Sequence, residues 1–466
     1  MSLTIGAVIL AAGEGKRLKL NAPKPLAPCL DKKLIDFPIK ALKNFFSQNK
    51  IDGKITAVIG HQRELVRPYI EKHHPDIAFA IQEEQKGTAD ALRSYFISHE
   101  NNHITNQFQY TLVICADTPV VSAKELTEML TLITNENLDG VAASFIEKNP
   151  KGYGRIVREK KGFHITEEKD ATDEIRKITE VNSGLYILKT SYLLEHLKAI
   201  DSNNKSGEFY LTDVFKDGLN VKAHCFPNGD IFLGVNTLSQ LEDAEKALRI
   251  RKKNELRDNG VRFIDSSHCY IDSEVEVGEG SVIYPNTFLT GKTQIGKNVV
   301  IEMGAQITNS IVDDSAKVLA YTILDGAHLH TKASAGPFAR LRPGADIGPE
   351  AKIGNFVEIK KSVLDRGVKV SHLSYVGDAF IGEETNIGCG FITCNFDGLN
   401  KHITKIGKNS FIGSDSQTIA PVVIGDDCFV ASSSTITKDM PDGSFAISRG
   451  QQTTKEGMAK KFLKKK

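Results

Sequence analysis

VGEGSVIYPNTFLTGKTQIGKNVVIEMGAQI, residues 277–307, carries an aliphatic side chain at every sixth position: Val277, Ile283, Leu289, Ile295, Ile301 and Ile307. Gly278 and Gly296 directly follow two of them. The period returns at Ile347, Ile353 and Ile359, again at Ile381 and Ile387, and again from Ile406 through Ile412, Thr418, Ile424 and Val430 to Ile436. An aliphatic every six residues, often followed by glycine, predicts an all-β, left-handed parallel β-helix of hexapeptide repeats. Each hexapeptide forms one flat face, three faces close a triangular coil, and the aliphatics stack inside, coil on coil. A β-sandwich with chance spacing would not give six consecutive hits without a slip. The period breaks between Thr393 and Ile406, so the segment Cys394 to Lys405 is expected to bulge as a loop, a frequent place for function on a rigid scaffold.

Upstream of this region the chain has a different character. Ile5 to Leu10 is a continuous apolar run, as in a buried parallel strand, and Leu112 to Cys115 reads as another. Helical stretches lie between, such as Ala89 to Phe96 and Ala123 to Ile133. Strands alternating with helices predict an α/β, Rossmann-like fold with a mostly parallel sheet. Across 239–258, Leu241, Ala244 and Leu248 share one helical face among dense Lys and Arg, which predicts a connecting helix ending near Gly260. The expected organisation is an α/β domain over 1–238, a linker helix over 239–262, and a β-helix over 263–466 with a basic C-terminal tail.

Bulk properties narrow the function. With 466 residues the chain exceeds one ordinary core. Its 59 basic and 58 acidic residues leave a net charge of +1, which gives no reason to expect nucleic acid or an anionic membrane as partner. The run from Lys460 to Lys466 reads as a solvated tail, or as one that reaches an anionic ligand. The apolar run Ala7 to Ala12 is short and lacks a basic lead, so no signal peptide is expected. No stretch approaches the roughly 18 to 20 apolar residues of a membrane span. Seven scattered cysteines without metal-ligand spacing fit reduced thiols and a cytoplasmic location.

The segment LAAGEGKRLKLNAPKPL (10–26) follows the first strand directly. Gly13 and Gly15 let the backbone turn and bring N–H groups to phosphates, while Arg17 and Lys24 supply charge for a triphosphate. Further blocks are QEEQKGTA (82–89), ADTP (116–119), GYGRI (152–156), EEKDAT (167–172), EVNSG (180–184), GEFYLTD (207–213) and GVN (234–236). Together with the β-helix, these resemble the bacterial bifunctional N-acetylglucosamine-1-phosphate uridylyltransferase and glucosamine-1-phosphate N-acetyltransferase family, in order and over nearly the whole chain. The resemblance implies that a sugar phosphate oxygen attacks the α-phosphorus of UTP and pyrophosphate leaves, a transfer that needs positioning and charge neutralisation. It implies Mg²⁺ held by Asp117 and Asn236. It further implies uridine contacts from Leu10, Ala11, Ala12, Gly13, Gln82, Gly87 and Thr88, phosphate contacts from Lys24, and sugar contacts from Gly154, Glu167 and Asn182. Read alone, Asp117 could be a strand-end turn residue and Asn182 a turn residue before Gly184. The chain departs from the family at Lys16, usually Thr, and at Ala116, usually Gly. Lys16 adds a cation beside the phosphates, and Ala116 removes backbone freedom beside Asp117.

In the β-helix, GPFARLRPG (336–344), GNFVEIKKS (354–362), HLSYVGDA (372–379), TCNFDG (393–398), GSDSQTIAPV (413–422) and AISR (446–449) resemble the same family. The resemblance implies His372 as general base for the sugar amine attacking the thioester. It implies Arg342 and Lys360 on the sugar phosphate and Tyr375 and Asn386 on the sugar. Acetyl-CoA contacts would come from Cys389, Asn395, Phe396, Ser414, Ser432 and Arg449, with Ser414 stabilising the oxyanion. Cys389 and Ser432 replace the family's Ala, and Phe396 its Tyr. Cys389 is either a small filler against a neighbouring coil or a thiol reachable from the CoA channel. The expected partners are small molecules: UTP, glucosamine 1-phosphate, N-acetylglucosamine 1-phosphate and acetyl-CoA, together with further copies of the chain in a homotrimer. The alternative reading is a sugar-1-phosphate nucleotidylyltransferase of other specificity, whose β-helix only oligomerises.

Overall fold

The computed structural model describes residues 3–100, 108–216, 218 and 220–463, and the chain divides into two compact units, 1–250 and 251–466. The first is a three-layer α/β unit. The strand Thr4–Leu10 is buried on both faces and so reads as a continuous apolar run. Across the sheet the main order is Val221–Phe226, Gly140–Ile146, Glu180–Lys189, Tyr110–Cys115, Thr4–Leu10, Asp52–Ile59 and Ala78–Ile81. All neighbours are parallel except Glu180–Lys189, which runs antiparallel to both strands beside it. A hairpin of Arg155–Arg158 and Phe163–Thr166 is attached at that strand. Helices cover both faces. Ala123–Asn135 starts at a capping box, in which the Ser122 side chain accepts from the helix backbone and Glu125 accepts from the Ser122 N–H.

The helix Leu238–Asp258 starts in the first unit, where Leu241, Ala244 and Leu248 join a core with Leu18, Ala27, Cys29 and Leu34. Its last turns belong to the second unit, where Leu256 enters the β-helix core beside Val261 and Cys269.

The second unit is a three-sided prism of eleven, ten and nine parallel strands, mostly two or three residues long. The sixth-position aliphatics point inward and stack: Ile283 pairs with Ile301, and Leu289 with Ile307. They form one continuous core with Val318, Leu341, Ile353 and Val370. Corners of the prism need left-handed backbone, which asparagine and aspartate tolerate best among non-glycine residues. Asn286, Asn298, Asn309, Asp415 and Asp427 take it, with φ between 46° and 60°. The inserted segment is shorter than expected. Ile392–Cys394 and Thr404–Ile406 are strands, so only 395–403 leaves the prism, and the chain re-enters with Thr404 opposite Ala379.

Candidate active sites

In the first unit the chain steps from Thr4–Leu10 to one side of the sheet and then to the other, so the loops after Leu10 and Cys115 diverge and leave a crevice at the strand ends. A cavity of about 360 Å³ occupies it. Leu10, Ala11, Ala12, Gly13, Lys24, Gln82, Gly87, Thr88 and Asp117 line it, as do Gln85, Cys115 and Glu208, which the sequence reading did not assign. Gln85 donates to the Ala12 carbonyl at 2.7 Å and pins the first loop. It stands inside QEEQKGTA, which was its only signal.

Two glycines shape this cavity. Gly15 has φ +65°, and a Cβ there would stand 2.6 Å from the Lys24 Cβ. Gly87 has φ +119°, and a Cβ would stand 2.5 Å from the Phe209 carbonyl oxygen. Around Gly87 the backbone is zipped to the GEFYLTD block: Phe209 N–H donates to Lys86, Ala89 N–H donates to Phe209, and Leu211 N–H donates to the Thr88 hydroxyl. Gln82 is buried, and its amide NH₂ donates to the Asp90 carboxylate at 2.8 Å and to the Gly87 carbonyl at 3.1 Å. A carboxylate only accepts, so the amide orientation is fixed and its Oε1 is left as an acceptor for a ligand.

Deeper in the crevice the Lys24 ammonium contacts the Asp117 carboxylate and donates to Asn236 Oδ1 at 2.8 Å. The Val235 N–H donates to the Asp117 carbonyl and holds the two segments together. Two oxygen donors thus converge on one cation, a hard donor set that fits Mg²⁺, with the ammonium as its stand-in. Gly154, Glu167 and Asn182 form a separate group outside the cavity lining. Asn182 N–H donates to the Gly154 carbonyl, and a Cβ on Gly154 would lie 3.5 Å from the Glu167 carboxylate. Burial pushes the Glu167 carboxyl up, against a hydrogen bond from Thr212. The Asn182 amide is engaged on Tyr186 OH and the Gly184 N–H, so it shapes the turn as well. Arg17 is exposed, and the Lys16 side chain lies outside the described residues. Ala116 is not in the left-handed region, so its backbone conformation here is one that any residue adopts.

In the second unit the expected residues fall into two columns along different corners. One column follows the register Ile353–Val370–Ile387–Ile412–Val430, two residues beyond each: Asn355, His372, Cys389, Ser414 and Ser432. Arg449 donates to the Ser432 carbonyl at its top. His372 is exposed, and its Nδ1 lies 2.6 Å from Asn355 Oδ1. With that oxygen as acceptor, Nδ1 carries the proton and Nε2 keeps its lone pair. Asn386 lies on the strand leading to this corner, paired with Lys369.

The second corner holds Arg342 and Lys360, in register with Gly377, and, one residue past that register, Asp378 and Asn395. Arg342 is paired with Glu358 at 2.8 Å, and buried Asn395 donates to Asp378 at 2.5 Å. Tyr375 lies on the strand between the corners, and its hydroxyl leans over Gly377 at the second one. Lys401, from the 395–403 loop, stands beside Lys360, whose ammonium pushes the Lys401 amine down. Two facing ammonium groups with Arg342 near them suit a phosphate. Within one chain, Asn395 and Phe396 therefore stand at the second corner, apart from the Cys389–Ser414–Ser432 column with which they were grouped.

Residues 6–248 match the Nucleotidyl transferase family, and residues 403–438 match Bacterial transferase hexapeptide (six repeats). Bifunctional protein GlmU of Pelobacter propionicus is 38% identical over 99% of both chains. That of Clostridioides difficile is 39% identical over 98% of this chain and 97% of its own. That of Thermodesulfovibrio yellowstonii is 40% identical over 98% of this chain and 99% of its own. The chain belongs to the GlmU family. Its β-helix is accordingly of the left-handed hexapeptide class expected from the period of six. The resemblance read from the sequence blocks was to this same family. Two residues that the structure places at these corners were not singled out from sequence: Asn355, inside GNFVEIKKS, and Lys401, inside the inserted loop. Among the departures, Cys389 is half-buried and Phe396 is exposed at the start of that loop.

Proposed function

We propose that this chain acetylates glucosamine 1-phosphate with acetyl-CoA and then couples the product, N-acetylglucosamine 1-phosphate, to UMP from UTP, giving UDP-N-acetylglucosamine and pyrophosphate, in the cytoplasm where those substrates are made. The observation that carries the first half is the crevice in which Gln82 Oε1 and the Lys24–Asp117–Asn236 cluster stand at the same cavity. Uracil offers an N–H donor flanked by two acceptors, and Gln82 Oε1 meets that donor. Lys24 steadies phosphate charge while the sugar phosphate oxygen attacks, and Glu167 and Asn182 hold the acetylated sugar. Mg²⁺, held by Asp117 and Asn236, neutralises triphosphate charge when bound.

For acetyl transfer, His372 Nε2 takes the proton from the sugar amine as it attacks the thioester carbonyl, and Asn355 holds the ring. The thiol leaves and the amide forms. Arg342, Lys360 and Lys401 take the sugar phosphate. These residues stand at the far end of a five-residue face from His372, on the order of 16 Å in extended chain. The amine and phosphate of the substrate sit on adjacent carbons. This separation supports a site in which the two corners meet between neighbouring copies, and the assembly proposed is a homotrimer with shared sites.

Turnover assays test the whole reading. With Mg²⁺ the chain should consume UTP only with N-acetylglucosamine 1-phosphate, and a chelator should stop this while sparing acetyl transfer. Asp117→Ala should abolish uridylyl transfer alone, and His372→Ala acetyl transfer alone. Uridylyl transfer without any acetyl transfer would instead leave a nucleotidyltransferase whose β-helix only oligomerises.

A further inference from the structure

A cluster of donor atoms lies low on the β-helix, on a sheet that carries neither column's strands. Ile311, His328 and Asp346 are in register on three successive coils. Asp313 follows the first of these strands and His330 the second. His328 Nε2 lies 3.0 Å and His330 Nδ1 3.2 Å from the same Asp313 carboxylate oxygen. The other ring nitrogen of His330, Nε2, lies 2.7 Å from Asp346. The imidazole rings stack with centroids 3.7 Å apart. All three donor side chains are partly buried, and their ligand atoms lie within 4.8 Å of one another.

We propose that Asp313, His328 and His330 bind a borderline transition-metal dication, Zn²⁺ being the best fit, which clips neighbouring coils together. Proton counting supports this. Asp346 accepts the Nε2 proton of His330, so the Nδ1 of a neutral ring presents a lone pair to another carboxylate oxygen. Two lone pairs at 3.2 Å repel unless a cation or a second ring proton lies between them. A tetrahedral ion about 2.0–2.1 Å from each ligand spaces them about 3.3 Å apart, close to the 3.0 and 3.2 Å between the two ring nitrogens and the Asp313 oxygen, and the stacked rings splay apart to receive it. Two imidazoles and one carboxylate select zinc-like ions over Mg²⁺, which prefers oxygen alone. Asp346 then plays the part of the carboxylate that fixes a ligating histidine's tautomer and orientation. The fourth position is left to water.

The test uses untagged full-length protein carrying Asp117→Asn, so that the nucleotide site contributes no metal. After loading with Zn²⁺ and gel filtration, elemental analysis should find one zinc per chain, and Co²⁺ should give the intense visible spectrum of a four-coordinate ion. Adding His328→Asn or His330→Asn should weaken zinc at least 100-fold in chelator competition. Adding Asp346→Asn should weaken it roughly 10- to 100-fold without abolishing it. Each variant is compared at equal metal-free melting temperature. Zinc held no better by the Asp117→Asn protein than by either histidine variant would overturn the proposal and leave the place to a second ring proton.

Discussion

Gln82 and His372 show how one hydrogen bond sets what a side chain can do. The Asp90 carboxylate and the Gly87 carbonyl take the Gln82 amide hydrogens and so leave an acceptor toward the cavity. Gln82→Glu would set two carboxylates against each other and lose the donor to Gly87. It should lower kcat/KM of uridylyl transfer roughly 10- to 100-fold, the equivalent of about 1–3 kcal/mol, with acetyl transfer unchanged. At His372 the acceptor is Asn355. Asn355→Ala should lower kcat of acetyl transfer by a similar roughly 10- to 100-fold while KM for the sugar phosphate stays. Asn355→Asp, which keeps an acceptor, should recover most of it. A fall in KM-limited rates alone would mean that Asn355 only packs. Both residues lay inside blocks quoted from sequence, yet only Gln82 was assigned. A residue that acts through another has no pattern of its own along the chain, since its partner stands one coil away.

At the scale of elements, the helix Asp36–Asn49 is anchored by its first residue. Asp36 is buried, which alone would raise its carboxyl. Hydrogen bonds from His74, the Lys33 N–H and Tyr69 outweigh this and hold it below the usual 3.8. A depressed carboxyl stabilises the fold above its unfolded value and loses that contribution as pH falls through the folded one. Asp36→Asn should therefore cost the first unit roughly 1–3 kcal/mol at pH 7 and progressively less below about pH 4, measured by denaturant melts across pH. An unchanged pH profile would show that the bonds carry no net weight. Elements were legible where the period was clean. The central strand and the connecting helix came out within a residue or two. The repeat was lost between Ile307 and Ile347 because some faces are one residue shorter: inward Val312 follows Ile307 by five, and Leu329 follows Leu324 by five. The antiparallel direction of Glu180–Lys189 left no trace, because its Leu185–Leu188 run, buried on both faces, has the same composition in either direction.

For the whole molecule, the two-column arrangement makes a prediction about copies rather than chains. His372→Ala and Lys360→Ala should each abolish acetyl transfer. Unfolded together and refolded, the two variants should regain about a quarter of it, since half the bases and half the anion anchors are intact and combine at random. No recovery in trimers of confirmed mixed composition would place both columns in one chain's site. The proposed trimer has no signature in hydrophobic periodicity, which reports the prism's inside. The sequence expectation of it came from the family resemblance, and the geometry adds that one small substrate cannot span two corners of one prism.

The in-register ladder makes the corner column a graduated scale. Each coil raises the next by about 4.8 Å, so Ser414 stands two rungs above His372 and Ser432 three. Height along this part of the chain is therefore quantised, even where a face is one residue shorter. A deletion of one whole coil above His372 keeps the core continuous and lowers every later rung by one step. A deletion of three residues keeps neither faces nor corners. The 395–403 loop obeys the same arithmetic, leaving the prism after Cys394 and returning one face later on the rung it would have reached without the detour. Natural variation in such a chain should come as whole turns, as one-residue trims at a corner, or as excursions that return to their own rung, and the height between the proposed base and the proposed acyl-carrier contacts can change only in steps of one coil.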